Sequence, residues 1–256
     1  MTVAAALAPA YARYCQQLGD DRLILGHRVS EWCGHAPILE EDIALANIAL
    51  DLIGQATFLL GRAGAVENAG RDADALAFLR DDRAFRNALM VELPNGDFAV
   101  TIVRQFFFAS FSRLQLEALT RSPDTEMAGI AAKALKEATY HVRHAAEWVV
   151  RLGDGTEESR QRAQDAVNDL WRYTGEFFLT TSEERALAAE GLAVDPATLQ
   201  AEWERSVRDV LTLATLTTPA TSWMQRGGRD GKHTEHLGPL LAEMQVLPRS
   251  HPGASW

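Results

Sequence analysis

The chain has 256 residues, 47% hydrophobic and 23% charged, a length and composition that bury the core of one large domain or of two small ones and do not fit a disordered protein. A net charge of −10 and a pI near 5.2 argue against a nucleic-acid binder, which needs a basic face. Two cysteines, Cys15 and Cys33, are too few for a disulfide framework and form no C-x-x-C pair, so the chain reads as a cytoplasmic protein with reduced thiols.

The first fifteen residues carry helical periodicity and no basic n-region, so no signal peptide is predicted. No run reaches the roughly 18 uninterrupted apolar residues of a membrane span, and a soluble protein is expected. Leu18, Leu25, Val29 and Trp32 keep helical spacing over residues 3–33, with Gly19-Asp20 as a candidate bend and Gly34 to Pro37 as the stop. Residues 40–61 follow as the central helix. Apolar residues lie on nearly every side of it, which predicts burial all round, and its polar residues Asn47, Asp51 and Gln55 fall at i, i+4 and i+8 on one stripe.

Residues 61–72 are polar and glycine-rich, and a shorter helical piece is predicted over 74–87. Asn95 to Asp97 offers caps for a third long helix over 97–120, with Phe106, Phe107, Phe108 and Phe111 in its core and no acidic residue between Asp97 and Glu117. Ser122 as cap, Pro123 at the first helical position and acids in the first turn start the fourth, which runs to about 152 and carries Glu137, His141 and His144 on one face. Thr156 caps a fifth helix to about 178, Asp195-Pro196 opens a sixth to about 216, residues 217–233 read as loop, and a last helix spans 234–246. Trp32, Trp148, Trp171 and Trp203 sit at core spacing and read as packing residues. Strand signals are nearly absent. The reading is all-α, a single domain over 1–256 with a four-helix core over about 3–153 and additional helices over about 156–247.

Two inward polar stripes on neighbouring helices are the arrangement from which di-iron carboxylate sites are built, one Glu from each of two helices and a Glu-x-x-His pair from each of the others. Three residues before the seven histidines stand Ile24, Trp32, Ala138, His141, Asp230, His233 and Pro248, so no Glu-x-x-His exists. What remains is Glu137, His141 and His144 opposite Asn47, Asp51 and Gln55, with Asp51 expected to be buried and paired. That set reads as a buried hydrogen-bond network, as a mononuclear site of two histidines and a carboxylate, or as histidines on a solvated or subunit-facing side. Nucleotide-binding and hydrolase motifs are absent. Arg226, Arg229 and Lys232, interleaved with Gly227, Gly228 and Gly231, form the one locally basic loop, either a phosphate site or a solvated turn.

The blocks EWCGHAPILEEDIALANIALDLIGQA (31–56), VELPNGDFAVTIVRQFFF (91–108), KALKEATYHVRH (133–144), LWRYTGEFF (170–178) and HTEHLGPLLAEMQ (233–245) resemble the ferritin-like structural subunits of bacterial ring 1,2-phenylacetyl-CoA epoxidases. So do RDDRAF (80–85), RLGDGTEES (151–159) and GLAVDP (191–196), and together the blocks cover most of the chain in order. The resemblance implies a ferritin-like bundle without metal ligands and no cofactor in this chain. It implies two partners: a homologous catalytic subunit holding di-iron and phenylacetyl-CoA, and a reductase with NADPH, FAD and iron-sulfur centres. The implied reaction inserts one oxygen atom into the aromatic ring during aerobic phenylacetate breakdown. In that setting Arg226, Arg229 and Lys232 are expected to help hold the coenzyme A phosphates. Two other classes stay open: an independent metal-binding oxidoreductase, and a homo-oligomeric binding or storage bundle.

Overall fold

Helices in this chain begin where a short polar side chain can accept the first free backbone N–H. Asp97 accepts from Val100, Asp124 from Glu126, and Thr156 and Thr181 close capping boxes with Ser159 and Glu184. The computed structural model describes residues 3–220 and 223–254, among which there is no strand. The helices in chain order are α1 (Ala8–Ser30), α2 (Leu39–Glu67), α3 (Ala73–Phe78), α4 (Leu89–Glu92), α5 (Phe98–Leu119), α6 (Thr125–Gly153), α7 (Glu157–Trp171), α8 (Ser182–Ala189), α9 (Gln200–Leu213) and α10 (Leu237–Ser250). Short 3-10 turns join several of them.

The core is a four-helix bundle in which α1 pairs with α2, α5 pairs with α6, and α2 lies beside α6. α7 and α9 flank the α5/α6 pair, where Phe107, Trp171 and Trp203 meet at centroid separations of 5.7 to 5.8 Å. One hydrophobic core runs from Tyr11 to Leu241.

Several boundaries differ from the sequence reading. α1 is unbroken at Gly19-Asp20. A Cβ at Gly19 would lie 2.8 Å from the Leu60 side chain, so this glycine serves close approach of α2. α2 continues six residues past Gly61 and stops at Asn68, whose φ of 55° is left-handed. The predicted helix over 74–87 shortens to α3, because residues 80–88 are committed to side-chain contacts with α1. The fifth helix ends at Trp171, and α4 and α8 have no counterpart in the sequence reading.

α2 is the larger correction. It is long and apolar enough to cross a membrane by length and composition, with a mean hydropathy of 1.7. It is buried on one side only. Leu39, Ile43, Leu50 and Phe58 stay half or more exposed, and Gly54 and Gly61 open on the same face with no atom near a built Cβ. An apolar surround predicted complete burial, yet the described chain covers only the side facing α1, α3 and α6.

Candidate functional site

Each inner helix places one polar side chain at the centre of the bundle. Arg22 of α1 donates from Nε to the side-chain amide oxygen of Gln55 on α2 at 3.0 Å, from Nη2 to the Ser112 hydroxyl of α5 at 2.9 Å, and from Nη1 to the Leu18 backbone carbonyl at 2.9 Å. Gln55 Nε2 donates to Glu137 of α6 at 2.8 Å. Arg22 is wholly buried, and burial pushes its guanidinium down to about 10 while Asp21 pulls it up. It therefore remains a cation at neutral pH.

The two histidines of α6 carry separate pairs. His141 Nε2 lies 3.0 Å from Asp51 and His144 Nε2 lies 2.8 Å from Glu41, with the Tyr140 ring stacked on His144 at 6.0 Å. Asp51 is paired with α6, but its side chain is 36% exposed, so full burial was the wrong expectation. Asn47 is exposed and its side chain makes no hydrogen bond to the described residues. Helix geometry accounts for the gradient. Each step of four residues rotates a side chain by about 40° beyond a full turn, so Asn47, Asp51 and Gln55 fan from solvent to core.

The donor set does not fit a di-iron centre. The central layer offers one carboxylate, Glu137, beside a buried guanidinium that would repel any cation placed there. Glu41–His144 and Asp51–His141 stand as isolated pairs, and no group of three or more His, Cys, Asp or Glu is arranged to hold a metal among the described residues.

The basic loop is divided between core and surface. Arg229 holds Asp21 through two hydrogen bonds of 2.8 Å and donates to the Arg86 carbonyl, and Asp21 is buried. The Asp21 carboxylate, together with Glu176, lifts the guanidinium above its usual range although burial alone would lower it. Arg229 is thus a structural anchor and not a free phosphate contact. Arg226 and Lys232 are exposed and line a cleft of about 370 Å³. The glycines serve packing: the Gly227 and Gly228 amides both donate to Glu176 at 2.8 Å, and a Cβ at Gly228 would lie 2.1 Å from the Asn87 carbonyl oxygen. Burial raises the Glu176 carboxyl, opposed by Arg229 and by these amides.

The profile of the phenylacetic acid catabolic protein family matches residues 2–256. The chain belongs to that family. Over 243 residues it is 51% identical to one of the subunits of the 1,2-phenylacetyl-CoA epoxidase of Escherichia coli (strain K12), an alignment covering 95% of this chain and 98% of that relative.

For a phenylacetic acid catabolic protein, the residues that the sequence reading missed are as informative as those it named. Arg22, Ser112 and Glu41 all belong to the bundle interior. For Glu41 the signal was the seven-residue period of an inward stripe, on which Glu41, Ile48 and Gln55 lie in register along α2, whereas a four-residue stripe turns from solvent to core. In this family member the all-α bundle is present and a hydrogen-bonded arginine stands at its centre.

Proposed function

We propose that this chain is the structural subunit of a multicomponent di-iron monooxygenase that converts phenylacetyl-CoA to its ring 1,2-epoxide in phenylacetate catabolism. The observation that carries the reading is Arg22, a buried cation hydrogen-bonded to α2 and α5 at the centre of the bundle, where a metal-bearing homologue must place acidic ligands. The name of the 51% identical relative supports the same assembly. In this reading, oxygen activation and substrate turnover belong to a homologous catalytic subunit that holds the iron pair, and a reductase with FAD and iron-sulfur centres brings electrons from NADPH. The complex works in the cytoplasm.

The chain's own contribution is shape. The outer face of α2 carries Leu39, Ile43, Leu50 and Phe58, with Gly54 and Gly61 permitting close approach of another helix, and this is the face we assign to the catalytic subunit. Arg226 and Lys232 remain as the loop's contacts for coenzyme A phosphates.

Co-expression with the catalytic subunit tests the proposal. One co-eluting complex, iron confined to the partner, and loss of epoxidation when this chain is withheld are the expected results. Full epoxidation by the partner and reductase alone overturns it.

A further inference from the structure

The segment that leads from α4 into α5 is held by an arginine on either side. Arg28 of α1 donates from Nε and Nη2 to the Glu92 carbonyl at 3.1 and 2.9 Å, and Arg104 of α5, wholly buried, donates to the Leu93 carbonyl and to the Asn95 side-chain oxygen. The Asn95 side-chain nitrogen completes the tie, donating to the Arg28 backbone carbonyl at 2.7 Å and to Glu31 at 2.9 Å. An asparagine suits this place because one short side chain offers two donor hydrogens and an acceptor. The next residue is fixed just as firmly. Gly96 has a φ of 60°, and a Cβ there would lie 3.0 Å from the Val100 side chain, so glycine is required.

The geometry thus imposes Asn95-Gly96, the asparagine context most prone to lose its amide. Of the five asparagines, Asn47, Asn68, Asn87, Asn95 and Asn168, this one alone precedes glycine. A following residue without a Cβ leaves its backbone nitrogen open to attack the side-chain amide carbon. A new C–N bond closes a five-membered succinimide as the amide C–N bond breaks and ammonia leaves, and water then opens the ring at either carbonyl to give aspartate or isoaspartate. Asn95 is half-buried and Gly96 is exposed, so solvent reaches the pair.

We propose that Asn95 is a site of spontaneous deamidation that the tie between α1 and α5 holds shut. Ring closure turns the Asn95 side chain onto its own backbone, and that turn breaks all three of its hydrogen bonds, the charge-assisted ones to Glu31 and Arg104 among them. The reaction therefore starts from the locally opened chain. It also runs one way. A carboxylate cannot donate to the Arg28 carbonyl or to Glu31, and isoaspartate routes the backbone through the former side chain, displacing the carbonyl that accepts from the Thr101 hydroxyl at 2.9 Å. A transient opening becomes a permanent loss of the junction between the end of α1 and the start of α5.

Mass spectrometry of the full chain, incubated at mildly alkaline pH with and without denaturing urea and then digested, tests this. In urea the peptide containing Asn95 should gain one mass unit and contain isoaspartate, ahead of the other four asparagines. In the folded chain the same change should be about tenfold slower or more, since several hydrogen bonds must break first. Glu31→Ala, which removes one acceptor at the exposed end of the tie, should speed the reaction of the folded chain several-fold. Equal rates for the folded and the unfolded parent overturn the proposal, as does an Asn95 that stays intact in urea. An unchanged rate in folded Glu31→Ala also overturns it, and the comparison on the parent stands whether or not the variant folds.

Discussion

The Arg22 guanidinium and the Glu137 carboxylate, on helices α1 and α6, are joined through the amide of Gln55 and not by direct contact. The amide accepts from the cation at 3.0 Å and donates to the anion at 2.8 Å. A glutamine is suited to this place because it presents an acceptor and a donor at once. Neither charge has to cross the bundle.

Gln55→Leu should therefore remove two hydrogen bonds and leave both charges under-satisfied. Each such group costs about 1 to 3 kcal/mol, so urea unfolding should show a loss within or above that range while helix content by circular dichroism is kept. A loss below about 0.5 kcal/mol, the level of an ordinary surface change, would contradict the relay.

Leu50→Asp and Phe58→Asp place charge on the outer face of α2, the second in place of a ring over which the Lys133 ammonium lies at 4.9 Å. The isolated variants should unfold within about 0.5 kcal/mol of the parent. Co-purification with the catalytic subunit should be lost. Retained binding would move the interface elsewhere.

The two kinds of cation on the basic loop should separate cleanly. Arg229→Ala strands Asp21 in the core and should cost about 3 to 5 kcal/mol, seen as a lowered unfolding midpoint. Arg226→Ala with Lys232→Ala should leave stability unchanged and raise the KM of the assembled complex for the coenzyme A thioester. An unaltered KM removes the phosphate role.

His233 should give the chain a pH dependence. Burial alone lowers its pKa, but Glu92 at 2.7 Å from Nδ1 and the Phe85 carbonyl at 3.1 Å from Nε2 both favour the doubly protonated ring, and the net shift is upward from 6.5. Above about pH 6.5 the folded chain then binds more protons than the unfolded chain. The stabilisation is complete below that pH and fades as pH rises through the raised value. Unfolding midpoints across this window should fall more steeply for the parent than for His233→Gln, and equal slopes would refute the assignment.

Helix-bearing stretches were legible because capping residues and apolar period are local properties. Asp97 and Thr156 cap their helices where the sequence reading placed them, whereas the fourth helix is capped by Asp124 and not by Ser122. Burial on α2 was not legible, since an apolar face turned to solvent and one turned to a core look alike in a single chain. Arg22 was passed over for a related reason: an arginine reads as surface until its partners, 33 and 90 residues away, are known. The basic loop shows the converse, for Arg229 is claimed by Asp21, 208 residues earlier, and no local pattern announces it.

That long tie has a consequence for synthesis. Asp20, Asp21 and Glu92 are buried in the finished fold, and two of them rely on partners near the end of the chain: Arg229 for Asp21 and His233 for Glu92. At about 5 to 20 residues per second, the ribosome needs roughly 10 to 40 s to pass from Asp21 to Arg229. Throughout that interval the emerging α1 and α4 carry acids whose counter-charges do not yet exist, so their final docking waits for release of the last segment. A chain truncated before Arg226 should accumulate as an expanded, protease-sensitive intermediate, making the C-terminal strap the step that completes maturation.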